Sequence, residues 1–239
     1  MPAFDAREYW DNRLREHWTV TGTGHLEYGP GYNRWLYRGK QRALRRALRP
    51  LTAGSALDVG SGTGWALRQL SRGGWSVRGC DIAAVAVARL REELPGIPVS
   101  VLDAGAEALP AADAEVTLVT AMDVAYHVVD DARFAHLVAE VARVLPPGGR
   151  VIVSDTFGAT DVVPAEHVRF RSLASWTALA EPAGLTVDRL LPYFRLLSRP
   201  PSASRLRRLP GGVRGAIEYT ADGLLPLRPW MRLGVLRRR

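Results

Sequence analysis

The chain has 239 residues, 47% of them hydrophobic and 23% charged, enough apolar content to bury one sizeable core and too much for a disordered chain. Its net charge of +8 is unevenly spread: ten basic against five acidic side chains over residues 1–50, ten against seventeen over 51–188, and twelve against two over 189–239. A single cysteine, Cys80, excludes an internal disulfide and a cysteine-based metal site. No signal-like stretch and no apolar run of about 18 residues occurs, so a soluble cytoplasmic protein is expected.

From the N-terminus, Asp5 to His17 reads as a helix, Gly22 to Gly31 as a glycine-containing loop, and Tyr32 to Leu48 as a second helix that Pro50 helps to end. Tyr9, Trp10, Trp18, Tyr28, Tyr32, Trp35 and Tyr37 make this segment dense in aromatic rings. It cannot bury them alone, so it packs on the sheet or closes over a ligand.

Ser55 to Val59 is a short strand-compatible run and Trp65 to Leu70 continues as a helix, which sets Gly60-Ser61-Gly62-Thr63-Gly64 in the turn where Rossmann-type units hold a cofactor. Glycine there admits positive φ and lets backbone approach a ligand. The spacing is not the Gly-x-Gly-x-x-Gly of dinucleotide loops, and Asp58 beside it would repel a pyrophosphate. The same carboxylate suits a ligand carrying an ammonium and a sulfonium, S-adenosylmethionine, with NAD as the competing reading.

A second strand, Trp75 to Cys80, ends in Asp81 about 20 residues beyond the loop, the separation expected of an acid that holds a ribose diol. Asp81-Ile82 thus reads as the ribose and adenine edge of the pocket. A third strand, Pro98 to Leu102, ends in Asp103-Ala104, and a fourth, Val116 to Ala121, runs into Met122-Asp123 and on to Tyr126-His127. A fifth, Arg150 to Ser154, follows Leu145-Pro146-Pro147-Gly148-Gly149. Helices are expected over 84–94, 130–144 and 172–183, and strands over Leu185 to Ser198 and Met231 to Leu236. This alternation predicts an α/β fold, a Rossmann-like, seven-stranded, mostly parallel sheet with helices on both faces. Pro200 to Pro229 reads as an inserted pair of short helices forming part of an acceptor pocket or a dimer contact, with both a monomer and a homodimer open.

These segments, in this order, resemble the class I S-adenosylmethionine-dependent methyltransferases over about residues 50 to 190. Leu57 to Gly64 matches the first motif, Asp81-Ile82 the ribose acid, Asp103 to Pro110 the adenine loop, Ala121 to His127 the segment after strand four, and Leu145 to Gly149 the turn before strand five. The chain departs from the pattern at Thr117, where many members carry aspartate, and at Tyr126, where many carry glutamate. The resemblance implies S-adenosylmethionine held by Asp58, Gly60, Ser61, Gly62, Gly64, Asp81, Ile82, Asp103, Ala104, Met122 and Asp123. It also implies that residues 1–50 form a helical lid whose Tyr28, Tyr32 and Arg34 are candidates to reach the methionine end. Residues 51–160 would then be the cofactor-binding core, and 161–239 the rest of the same domain with the acceptor-site insertion.

Methyl transfer from a sulfonium chiefly requires alignment of an acceptor lone pair and exclusion of water. For a hydroxyl acceptor a histidine can take the proton. His127 leads, at the end of strand four where open α/β sheets bind ligands, and His167, in the segment after strand five, is second. No cluster has metal-ligand spacing, so no catalytic metal is expected. The expected function is methyl transfer to a small-molecule acceptor, O-methylation in specialised metabolism ahead of N- or C-methylation. Nucleic-acid substrates are disfavoured by the absence of an Asp/Asn-Pro-Pro-Tyr motif, although the arginine-rich end keeps RNA as a minor alternative. Peripheral membrane contact, a lipid-linked substrate and a non-catalytic scaffold stay open.

Overall fold

The computed structural model describes residues 4–198, 206 and 208–239. In chain order the elements are α1 (Ala6–Glu16), α2 (Gly29–Leu48), β1 (Ser55–Val59), α3 (Trp65–Arg72), β2 (Ser76–Asp81), α4 (Ala84–Glu93), β3 (Val99–Val101), β4 (Leu118–Ala121), α5 (Asp131–Val144), β5 (Arg150–Asp155), β6 (Val162–Ala165), β7 (Val168–Phe170), α6 (Leu173–Ala180), β8 (Leu185–Phe194), α7 (Gly211–Leu224) and β9 (Met231–Arg238). Seven strands form one sheet in the order β3-β2-β1-β4-β5-β9-β8. Every neighbouring pair is parallel except the two made by β9, which runs antiparallel to both β5 and β8.

Alternation along the strands builds two cores. Leu57, Val119 and Val151 point to one face, covered by Phe134 of α5 and Trp176 of α6. Ala56, Leu118 and Ile152 point to the other, covered by Leu36 of α2, Leu67 of α3 and Leu90 of α4. Period-two strands buried on both faces read as continuous apolar runs, which is why these segments were legible in the sequence. The order of strands reverses between β1 and β4, and ligands of such sheets bind outside the strand ends at that crossing.

Helix α1 does not join either core. Its Leu14 packs on Ala83 and Ala86 at the start of α4, and Asp11 Oδ1 accepts a 2.9 Å hydrogen bond from the Val85 amide. The N-terminal segment is thereby pinned across the strand ends.

The expected elements recur with small shifts, and two regions differ. Residues 162–170 form an unforeseen β-hairpin, β6 with β7, because strands this short, half-exposed and containing Pro164 leave no alternation to read. In the insertion one helix, α7, is described; the expected earlier helix falls largely on residues 199–205 and 207, outside the described residues. Helix α7 packs on α2, with a Cβ placed on Gly31 lying 3.1 Å from the Gly212 Cα, and is absent from the cleft described below.

Candidate active site

Strand β1 delivers Asp58 and then the glycine loop. Gly60, Gly62 and Gly64 all have positive φ, 71°, 51° and 75°. A side chain at Gly60 would also collide with Val124, whose Cγ2 lies 2.2 Å from an ideal Cβ. The loop is fixed from the neighbouring strand: Asp81 Oδ2 accepts the Gly62 amide at 2.7 Å and Oδ1 accepts the Ala83 amide at 2.9 Å. Burial pushes the Asp81 carboxyl above its ordinary value while the two amide bonds oppose it.

Asp58 is buried, and its Oδ1 accepts the Thr120 hydroxyl at 2.6 Å. Its Oδ2 is buried without a hydrogen-bond partner. Burial pushes this carboxyl up to about 7 against the Thr120 bond. An orphaned buried carboxylate oxygen is costly unless a donor or cation meets it. Asp58, Gly60, Ser61, Gly62, Asp81, Ile82, Asp103, Ala104 and Met122 line one cleft of about 640 Å³, the size of a small-molecule or cofactor site. Gly64, at the N-cap of α3, shapes the loop without lining the cleft. The donor set fits S-adenosylmethionine: Asp58 Oδ2 offers an acceptor for an ammonium, and Asp81 borders the space on the β2 side.

Asp103 and Asp123, expected at the cofactor, both line the cleft and, like Asp81, have carboxylates engaged by side chains or amides of this chain. Asp103 Oδ1 accepts the Gly105 amide at 3.0 Å and Oδ2 pairs with Arg133. Asp123 sits in left-handed backbone at φ 61° and its carboxylate takes three donors: Lys40 Nζ at 2.7 Å, the Tyr193 hydroxyl at 2.8 Å and the Ser154 hydroxyl at 3.0 Å. Burial opposes ionisation of Asp123, and the Lys40 charge and these bonds overcome it, holding the carboxyl below its ordinary value. Lys40, the only lysine in the chain, lies 4.2 Å from the centre of the Tyr37 ring and lines the cleft.

Sequence reasoning missed Lys40 and Tyr37 and chose Tyr32 and Arg34. The Tyr32 side chain lies in the core away from the cleft, its hydroxyl donating to Glu218 at 2.7 Å and accepting the Ser198 amide at 2.8 Å. Arg34 is exposed on the outer side of α2. The first turns of α2 pack against α7, so only the middle of the helix reaches the cleft. A signal existed: Leu36, Tyr37, Lys40, Ala43, Leu44 and Ala47 follow helical spacing and mark the buried stripe.

His127 closes a 3₁₀ turn, Ala125–His127, directly after β4 and lines the cleft. Its Nδ1 lies 2.8 Å from the carbonyl oxygen of His167. A carbonyl only accepts, so Nδ1 carries the proton and the neutral ring presents Nε2 as a lone pair. Burial lowers the His127 pKa to about 4, the His167 carbonyl opposing. His167 itself is not on the cleft wall. Its ring stacks on His127 at 5.8 Å and meets Phe4 and Tyr9 of the N-terminal segment at 5.4 and 5.3 Å. The β6–β7 hairpin therefore positions His127 through its backbone and the N-terminal segment through its ring. From that segment Phe4 and Trp10 reach the cleft wall, with Trp10 edge-on to His127 at 5.1 Å. Thr23 joins this segment to the glycine loop, its hydroxyl 2.6 Å from the Tyr37 hydroxyl and 3.3 Å from that of Thr63. Among the described residues no group of three metal-ligating side chains assembles, and no helix is long and apolar enough to cross a membrane.

Residues 57–153 match the family described as a methyltransferase domain. The chain is 30% identical over 190 residues to a probable S-adenosylmethionine-dependent methyltransferase of Mycolicibacterium smegmatis, covering 77% of this chain and 72% of that one. It is 34% identical over 151 residues to the dimethylglycine N-methyltransferase of Parasynechococcus marenigrum, covering 56% of this chain and 52% of that one. The chain thus spans about half the length of the second relative. A solved S-adenosylmethionine-dependent methyltransferase from Leishmania major shares the fold, with a TM-score of 0.69 at 18% identity over 97% of this chain and 81% of that chain. With the Asp58 loop, the Asp81 strand end and the reversed sheet order in place, these matches settle the family: the chain belongs to the class I S-adenosylmethionine-dependent methyltransferases.

Proposed function

We propose that the protein transfers a methyl group to a hydroxyl of a neutral small molecule, with His127 as the group that takes the acceptor proton. The observation that carries this reading is the fixed tautomer of His127 on the cleft wall, Nδ1 tied to a backbone carbonyl and Nε2 left as a base. The cofactor supplies a methyl group already activated on a sulfonium. Asp58 and Asp81 orient its ammonium and ribose ends, and the glycine loop gives it backbone to lie against. The lid residues Phe4 and Trp10, with Tyr37, enclose the acceptor and exclude water. With its ring held near 4, His127 is neutral throughout the neutral range, so the base form is always present and accepts a proton only as the acceptor oxygen gives it up.

Charge at this end favours a neutral acceptor. The Lys40 and Asp123 pair cancels; Asp5 and Asp130 also line the cleft, and Asp130 is engaged at the start of α5, where it accepts the Arg133 amide. The apolar and aromatic wall suits a hydroxylated ring or polyketide-like scaffold, in keeping with specialised metabolism. Amine methylation is the second reading, favoured by the dimethylglycine N-methyltransferase relative.

The test begins with calorimetric titration by S-adenosylmethionine and its demethylated product, then a panel of phenols, alcohols and amines on wild type and His127→Asn. Turnover of hydroxyl acceptors that the substitution suppresses, with cofactor affinity retained, supports the reading. Turnover of amines alone, indifferent to His127, replaces it with the second; no cofactor binding by folded protein overturns both.

A further inference from the structure

Helix α7 is built inside out. Its inward residues are polar: Glu218 receives the Tyr32 hydroxyl, and the Asp222 carboxylate accepts the Arg195 amide at 3.1 Å and caps the Leu196 amide as well. Its outward row is largely aliphatic, Val213 at 49%, Ile217 at 43% and Leu224 at 77% exposure with Thr220 among them, and the stripe continues into Leu225 and Leu227. Solvated helices carry the opposite polarity, and an aliphatic row left outside marks a surface that is covered in use.

The neighbouring helix carries a row of cations. Helix α2 runs alongside α7, with Trp35 against Gly215 and Arg42 stacked 4.4 Å over Tyr219. From the same flank of α2, Arg34, Arg38, Arg45 and Arg49 are exposed. Spacings of four, seven and four place them on one stripe, away from the Tyr37 and Lys40 side that lines the cleft. Arg38 lies 4.3 Å over the Trp35 ring, so its stem covers apolar surface while its charge stays at the rim.

We propose that the α2–α7 face docks on an anionic lipid bilayer, the aliphatic row entering the headgroup and acyl boundary and the arginine row engaging lipid phosphates. Aliphatic side chains flanked by arginines are what an interfacial helix presents to such a surface. A second copy of the chain fits less well, because a two-fold contact through this face would bring two arginine rows near one another. Nucleic acid fits less well because the two rings on this face, Trp35 and Tyr219, already carry Arg38 and Arg42 over them, where a base would stack. The inference does not depend on the transfer reaction, since the cleft and this face use opposite sides of α2.

The test is co-sedimentation of the full chain with vesicles of pure phosphatidylcholine and of phosphatidylcholine mixed with phosphatidylglycerol, at low and physiological salt. Wild type is expected to pellet with the mixed vesicles and not with the neutral ones. Ile217→Gln with Leu224→Gln, both on exposed positions, is expected to cut that binding roughly tenfold or more. Arg34→Gln with Arg45→Gln is expected to weaken it and flatten its salt dependence. Unchanged circular dichroism and cofactor affinity in both variants keep the comparison on the surface. Absence of binding by folded wild type overturns the proposal, as does vesicle binding that the Ile217 and Leu224 variant retains in full. Dimerisation by light scattering that this variant abolishes, without vesicle binding, gives the face to a second copy and overturns it equally.

Discussion

Asp58→Asn separates what the loop carboxylate does for the ligand from what it costs the fold. Asp58 is 1% exposed, and burial moves its carboxyl from 3.8 to about 7. At 1.36 kcal/mol per pKa unit that difference corresponds to about 4 kcal/mol of destabilisation once the group is ionised in both states. The sign follows from proton counts: between 3.8 and about 7 the folded chain binds the proton and the unfolded chain does not, so stability from this group is full at low pH and falls as pH rises to about 7. Asparagine removes the penalty but must find an acceptor for its amide, so a net gain of about 1–3 kcal/mol is expected at pH 8, and less at pH 5. For a chain of this size that is about 2–10 °C in Tm. The same substitution removes the acceptor for a ligand ammonium, and S-adenosylmethionine binding should weaken about 10–100-fold. Thermal scans of the free protein at both pH values and calorimetry at pH 8 check this. Equal loss of Tm at both pH values, or undiminished cofactor affinity, would refute the assignment of Asp58.

Other consequences are separable by assay. His127→Asn is expected to lower kcat/KM for a hydroxyl acceptor about 10²–10⁴-fold with cofactor affinity unchanged; in wild type, the His127 limb of the pH profile should appear only as pH drops towards about 4. Lys40→Met strands the buried Asp123 charge and should cost about 3–5 kcal/mol by urea unfolding, most of it restored when Asp123→Asn is added. Tyr32→Phe breaks the hydroxyl contacts to Glu218 and Ser198 and should cost about 1–3 kcal/mol, whereas calorimetry should find its cofactor affinity intact.

What the sequence disclosed followed the range of the interactions concerned. Asp58, the glycine loop and Asp81 were legible because strand, turn and strand end lie within one local unit, and the acids sit where strand geometry must put them. The partnership of Asp123 with Lys40 spans more than eighty residues, and neither residue type announces the other. Choosing Tyr32 and Arg34 rested on the N-terminal lid that the family resemblance implies rather than on the helical face they occupy. The apolar stripe through Leu36, Tyr37 and Lys40 marked the correct face, and the lone lysine on it was the clue. The β6–β7 hairpin left no trace because its strands are too short to alternate, and it alone explains how His127 acquires its tautomer. The reading of Pro200 to Pro229 as an inserted pair of short helices assigned no inward face to α7, and the structure turns Glu218 and Asp222 inward.

The place of β9 between β5 and β8 has a consequence for synthesis. On a ribosome, the edge of β5 is complete at Asp155, yet the strand that covers it runs to Arg238. Some seconds of translation, about 4–17 s at about 5–20 residues per second, pass with that edge unpaired. For the latter part of that interval, once synthesis has passed Phe194, β8 is complete but has no strand to join, because its neighbour in the sheet is β9. The nascent chain therefore presents an open parallel half-sheet to other chains, and its yield in cells should respond to holdase chaperones and to translation rate more than the finished protein's stability would suggest.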